Sequence, residues 1–248
     1  MNRITPLKLI LLTPIFILLS HYLAVFPHEY AHSFTAWLLG HKTNPLAILY
    51  GGTSWSNLLL LSHIDENVNY DLIFSQGQNF HAALIAFAGP GIANGLLFIL
   101  SFLLLKSKSI KEKPYTYYFL FWFNLMNLGN FYDYVPIRTF ATHGDIAHLV
   151  KGLNISPWYV YIIFGYLVAF LIWQFFTKTM PAMFSTLDIN TTAFKASLMI
   201  VSVCILFGFF GKSGLSNNYG ELLSITSLLA IPGIIITLWP TRKWANRS

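Results

Sequence analysis

The chain has 248 residues, of which 55% are hydrophobic and only 10% charged, and its mean hydropathy is +0.58. A soluble domain carries roughly 25% charged residues, so composition argues against a soluble enzyme and for an all-α polytopic membrane protein. The net charge of +6 does not indicate a nucleic-acid partner, because the basic residues sit in short gaps between apolar runs; the single Cys204 rules out an intrachain disulfide and a thiolate cluster.

Six membrane spans are predicted in chain order: 9–39, 81–105, 115–131, 158–176, 193–210 and 222–239. The first is roughly 45 Å long and must tilt or protrude, and Pro14 and Pro27 are expected to kink it. Arg3 and Lys8 give it a basic start like that of a signal peptide. Its apolar stretch is longer than a signal's, however, and no small-x-small site precedes His28, so it reads as a retained helix. Between the first two spans lie the apolar piece 46–52, too short to cross, and the polar stretch 63–79. The former reads as a strand ending at Gly51-Gly52 or as a re-entrant segment. No internal repeat or low-complexity tract is visible.

The first span carries His28-Glu29-Tyr30-Ala31-His32, the pattern H-E-x-x-H. On a helix, positions i and i+4 share a face, so His28 and His32 can present two imidazoles to one metal ion. Glu29 stands beside them, where a carboxylate can act as a base toward water. The bland alternative is a packing or capping cluster. Ionisable residues inside a membrane helix are costly and usually functional, which favours the metal reading.

Charge bias orients the chain. With six spans, eleven Lys and Arg fall on the side of the termini (Arg3, Lys8, Lys106, Lys108, Lys111, Lys113, Lys178, Lys195, Arg242, Lys243 and Arg247). Four fall on the other side (Lys42, Arg138, Lys151 and Lys212). The positive-inside rule then places both termini in the cytosol, in what is expected to be the cell membrane, with His28 and the 63–79 loop toward the opposite face.

A catalytic zinc needs a third protein ligand and an open position. The loop after the third span returns to the same membrane face as His28 and offers Asp145 as first choice, with His143 or His148 as alternatives. Asp145 also reads as the start of a short helix, where it would cap.

Three landmarks resemble the site-2 protease family of intramembrane zinc metalloproteases. They are His28-Glu29-Tyr30-Ala31-His32 in a membrane helix, Ala88-Gly89-Pro90-Gly91-Ile92-Ala93-Asn94 early in the next span, and Asn130, Pro136, Gly144 and Asp145 after the third. In the family a proline is followed by Asp-Gly; here Gly144 precedes Asp145. The resemblance implies a three-helix catalytic membrane core over residues 1–156, with residues 157–248 adding three helices and a short basic C-terminal tail. It implies a zinc ion on His28, His32 and Asp145, Glu29 as general base, and Asn94 and Asn130 as residues that position substrate or transition state. From the residues alone, Asn94 could bond a substrate backbone or a neighbouring helix, and the glycines could serve simple helix packing.

The expected activity is hydrolysis of a peptide bond in or near a membrane-spanning segment of a protein substrate within the lipid bilayer, with 46–52 holding the substrate by strand addition. Two other classes stand beside it: a catalytically silent metal-binding scaffold, against which the base Glu29 argues, and a transporter, against which the lack of a repeat argues.

Overall fold

The structure, a computed structural model, describes residues 5–216 and 220–240. Arg3, Arg242, Lys243, Arg247 and the basic C-terminal tail lie outside the described residues. The fold is helical throughout. Helix α1 (Pro6–Leu38) starts with Pro6 in its first turn, where a missing N–H costs nothing, and runs through Pro14 and Pro27 for about 50 Å. Two short helices follow, α2 (Trp55–Leu60) and α3 (Tyr70–Ser75), each opened by a side-chain cap, from Ser54 and Asn69 respectively. Then come α4 (Asn79–Lys106), α5 (Pro114–Tyr132), α6 (Asp145–Leu153), α7 (Pro157–Thr186), α8 (Thr192–Leu215) and α9 (Glu221–Thr237).

Four of these helices, α1, α4, α7 and α8, are long and apolar enough to cross a membrane. The other two expected spans exist as helices but fall short of that measure. Helix α9 has 17 residues, about 25 Å against a hydrocarbon core of about 30 Å. Helix α5 is long enough at 19 residues but is interrupted by Asn124, Asn127 and Asn130. The reason is its position: Tyr117, Tyr118, Phe121, Trp122, Leu125 and Leu128 are all fully buried, so α5 is the central helix of the bundle. Walled by protein, it can carry amides that find partners inside. Asn124 donates to Ser101 Oγ (2.9 Å), Asn127 to the Phe123 carbonyl (2.8 Å) and Asn130 to that of Met126 (3.0 Å).

The segment 46–52 forms no regular strand or helix. It pairs through one antiparallel bridge, Leu49 with Asp65, and then turns at Gly51 and Gly52, whose φ values are 70° and 85°. No longer ladder exists among the described residues. Lys42 donates to the backbone carbonyls of Glu66 and Asn67 and ties the polar 63–79 stretch to the end of α1.

Two irregularities place the site. Over Ala88–Asn94 helix α4 widens into π-type turns, where Pro90 supplies no N–H to the ladder. Helix α5 likewise loosens over Asp133–Ile137, with Val135 extended (φ −140°, ψ 112°) ahead of Pro136. Gly144, at φ 89°, then turns the chain into α6; the left-handed region makes glycine the natural residue there. Helix α6 packs on the first half of α4, with Ile146 and Leu149 against Ala82, Ala83 and Ala86.

Candidate functional site

These elements bring three sequence-distant groups together. His28 and His32 project from one face of α1, as their spacing requires, and Asp145 enters from the first residue of α6. The Nε2 atoms of the two imidazoles are 3.0 Å apart. Asp145 Oδ2 lies 3.2 Å from Nε2 of His28 and 3.3 Å from Nε2 of His32. Four donors at 2.0–2.1 Å from a tetrahedral ion stand roughly 3.3–3.4 Å apart, so the triangle is close to the size of three such vertices.

The chemistry of the three atoms agrees with a cation between them. Nδ1 of His32 faces the carbonyl oxygen of Ile85 at 2.6 Å and must donate to it. Nδ1 of His28 lies 2.7 Å from Asn94 Oδ1. The amide orientation of Asn94 is fixed by its other end, where Nδ2 donates to the carbonyl of Ala24 (3.0 Å) and to Asn127 Oδ1 (3.1 Å). With both Nδ1 atoms protonated, the neutral rings turn two Nε2 lone pairs toward each other and toward a carboxylate oxygen. Three such acceptors converge without repulsion only if a cation, metal or proton, sits among them. His28, His32 and Asp145 could therefore hold a metal ion. Burial opposes the charge on Asp145, but a proton on His32, together with the contacts from both imidazoles, overrides it and holds the carboxyl well below the usual range; a metal cation in the proton's place would act in the same direction.

Gly89 is part of this geometry. A Cβ there would collide with Nε2 of His32 and lie 2.6 Å from Nε2 of His28, so only the bare backbone of the π-type turn fits against the two rings.

Glu29 makes no hydrogen bond to another side chain among the described residues. It lines two cavities that meet at His28, Glu29 and Tyr134. One, of about 640 Å³, lies under residues 64–71 and includes Asp145 and His148. The other, of about 550 Å³, extends past Leu60, Asn130 and Arg138 to Phe209 and Lys212.

Neither a family model, nor a curated protein, nor a solved structure matches this chain.

The remaining expected residues fall in distinct places. Asn94 is fully buried and bonds to the neighbouring helix α1 through His28 and the Ala24 carbonyl. Asn130 lines the smaller cavity without bonding to His28, His32 or Asp145. His143 is exposed at the rim, and His148 stacks on Tyr70 with ring centroids 3.9 Å apart; neither joins the triangle. Asp145 is not itself the cap of α6: Gly144 takes that position and the carboxylate is free to turn inward. Asp133 pairs with Arg138 on the wall of the smaller cavity and does not join the triangle.

Sequence reasoning missed Tyr134, Arg138 and Asn127. The hydroxyl of Tyr134 stands 2.9 Å from Nε2 of His28, and the Arg138 guanidinium lies 4.4 Å above the tyrosine ring. A usable signal for Asn127 was the Asn-x-x-Asn-x-x-Asn spacing on an otherwise apolar helix. Nothing local marks Tyr134.

Proposed function

We propose that the chain is a zinc-dependent intramembrane endopeptidase of the site-2 protease kind. The observation that carries this reading is the triangle of His28, His32 and Asp145 atoms, whose lone pairs converge because Asn94 and Ile85 hold the opposite ring nitrogens as donors. Beside it stands Glu29, a carboxylate on the wall of both cavities and not one of the three. A metal-storage or scaffold protein has no use for that group.

Two imidazoles and one carboxylate suit zinc, which would act as a Lewis acid and lower the pKa of a coordinated water toward neutrality. The protein's own residues do the rest. Glu29 takes a proton from water as its oxygen adds to the scissile carbonyl carbon. It returns the proton to the amide nitrogen as the C–N bond breaks, leaving a carboxylic acid and an amine. Asn94, held by Ala24 and Asn127, keeps the His28 ring in the ligating tautomer.

The substrate is a membrane protein presenting an unwound segment. Residues 64–71 roof the larger cavity, and the extended piece around Leu49 exposes an apolar edge (Leu46, Leu49 and Tyr50) against which such a segment can add as a strand. Helices α5 and α9 count as crossings in this reading, giving six, with the termini cytosolic and the site toward the other face.

Metal analysis of the purified chain tests the reading. Wild type should carry one zinc per chain, and the His28→Ala/His32→Ala double variant none, with cleavage of a membrane-spanning reporter lost in parallel. Equal metal content in the two would end it.

A further inference from the structure

Besides the three ligand residues, one side chain among the described residues bonds directly to the inward-facing nitrogens of the site: the hydroxyl of Tyr134, 2.9 Å from Nε2 of His28. The two rings lie nearly parallel, at 11° with centroids 5.4 Å apart. Since Nδ1 of His28 already donates to Asn94, Nε2 is an acceptor and the tyrosine O–H donates to it. Of the three ligand residues it bonds to His28 alone. The hydroxyl therefore stands beside the His28 vertex of the triangle. Tyr134 also lines both cavities, so it faces whatever occupies them.

We propose that Tyr134 is a catalytic residue: its hydroxyl donates a hydrogen bond to the carbonyl oxygen of the scissile peptide as that oxygen gains negative charge. This deepens the hydrolase reading above and rests on it. A cation on Nε2 takes the lone pair that the O–H otherwise uses, and the hydroxyl must then find another acceptor beside that vertex. The carbonyl oxygen of a bound peptide is the acceptor that the cavity can deliver there.

The ring is braced for this task. His28 stacks on it, and the guanidinium of Arg138 lies over it. Arg138 is paired with Asp133, which accepts a hydrogen bond from Ser213 near the end of α8. A donor fixed before the reaction needs no reorganisation as charge develops, which is what makes such groups effective. The bracing also gives α8, outside the three-helix core, a part in the site.

The full-length protein, loaded with cobalt(II) in detergent micelles and titrated with acetohydroxamate, tests this through its visible spectrum. The hydroxamate brings an anionic oxygen to the ion. Tyr134→Phe keeps the ring and its stacking. It should load cobalt as wild type does and bind acetohydroxamate about 10–100-fold more weakly, the effect of one hydrogen bond to a charged group. Unchanged affinity would overturn the proposal. Loss of cobalt from Tyr134→Phe would make the tyrosine a ligand and also overturn it. Failure of wild type to load cobalt would instead bring down the metal reading, and this one with it.

Discussion

Asn94 Oδ1 accepts a hydrogen bond from Nδ1 of His28 at 2.7 Å, across the interface between α4 and α1. That contact connects the second sequence landmark to the first. A polar chain runs from Asn127 on the central helix through Asn94 to the ring that would carry the metal, and each amide is oriented by a carbonyl behind it, those of Phe123 and Ala24.

Asn94→Ala removes the acceptor that sets the His28 tautomer. Zinc affinity, measured by competition with a chromophoric chelator, should fall about 10–100-fold while His32 still binds. The variant should also lose about 1–3 kcal/mol of stability, because the buried Asn127 Oδ1 loses its donor. Wild-type affinity in this variant would show that the tautomer does not depend on Asn94.

Glu29→Gln separates base from ligand. The amide cannot take a proton, so cleavage should drop by at least about 100-fold, the usual contribution of a positioned base. Zinc stoichiometry should stay near one. Retained activity would remove the mechanism; lost zinc would make Glu29 a ligand.

Asp145→Asn exchanges an anionic ligand for a neutral amide beside two imidazoles, and both metal retention and activity should fall. His148→Ala and His143→Ala should keep the metal, since one ring is stacked on Tyr70 and the other sits at the rim. Metal loss in His148→Ala with retention in Asp145→Asn would contradict the geometry.

The proposed six-crossing topology predicts opposite exposure for two loops. A cysteine at Asn69, the cap of α3 over the larger cavity, should react in intact cells with a membrane-impermeant thiol reagent, and one at Ser109 should not. The comparison is made in a Cys204→Ser background, because Cys204 is exposed. The reverse labelling would invert the chain in the bilayer.

Much of the local structure was legible in the sequence. Apolar runs marked every long helix, because a helix facing lipid must be apolar over a fixed length. The i, i+4 spacing put His28 and His32 on one face, because helical geometry leaves no other arrangement. The two spans that fell short show the limit of that logic. Hydropathy describes what a helix faces only when it faces solvent or lipid, and α5 faces protein on all sides, so its asparagines lower its apolarity without exposing it.

The sequence by itself determined the helices, the two imidazoles and the neighbouring carboxylate, all set by local spacing and composition. Only the tertiary structure shows that Asp145, and not His143 or His148, meets the two imidazoles. The choice depended on the φ of 89° at Gly144 and on α6 packing against α4, neither of which has a signature at the aspartate itself. The π-type widening of α4, which turns Asn94 onto His28 and brings the bare backbone of Gly89 against both rings, depends on contacts with α1 and α5. Tyr134 was invisible for the same reason. A residue 106 positions from its partner acquires its role only when the chain closes on itself.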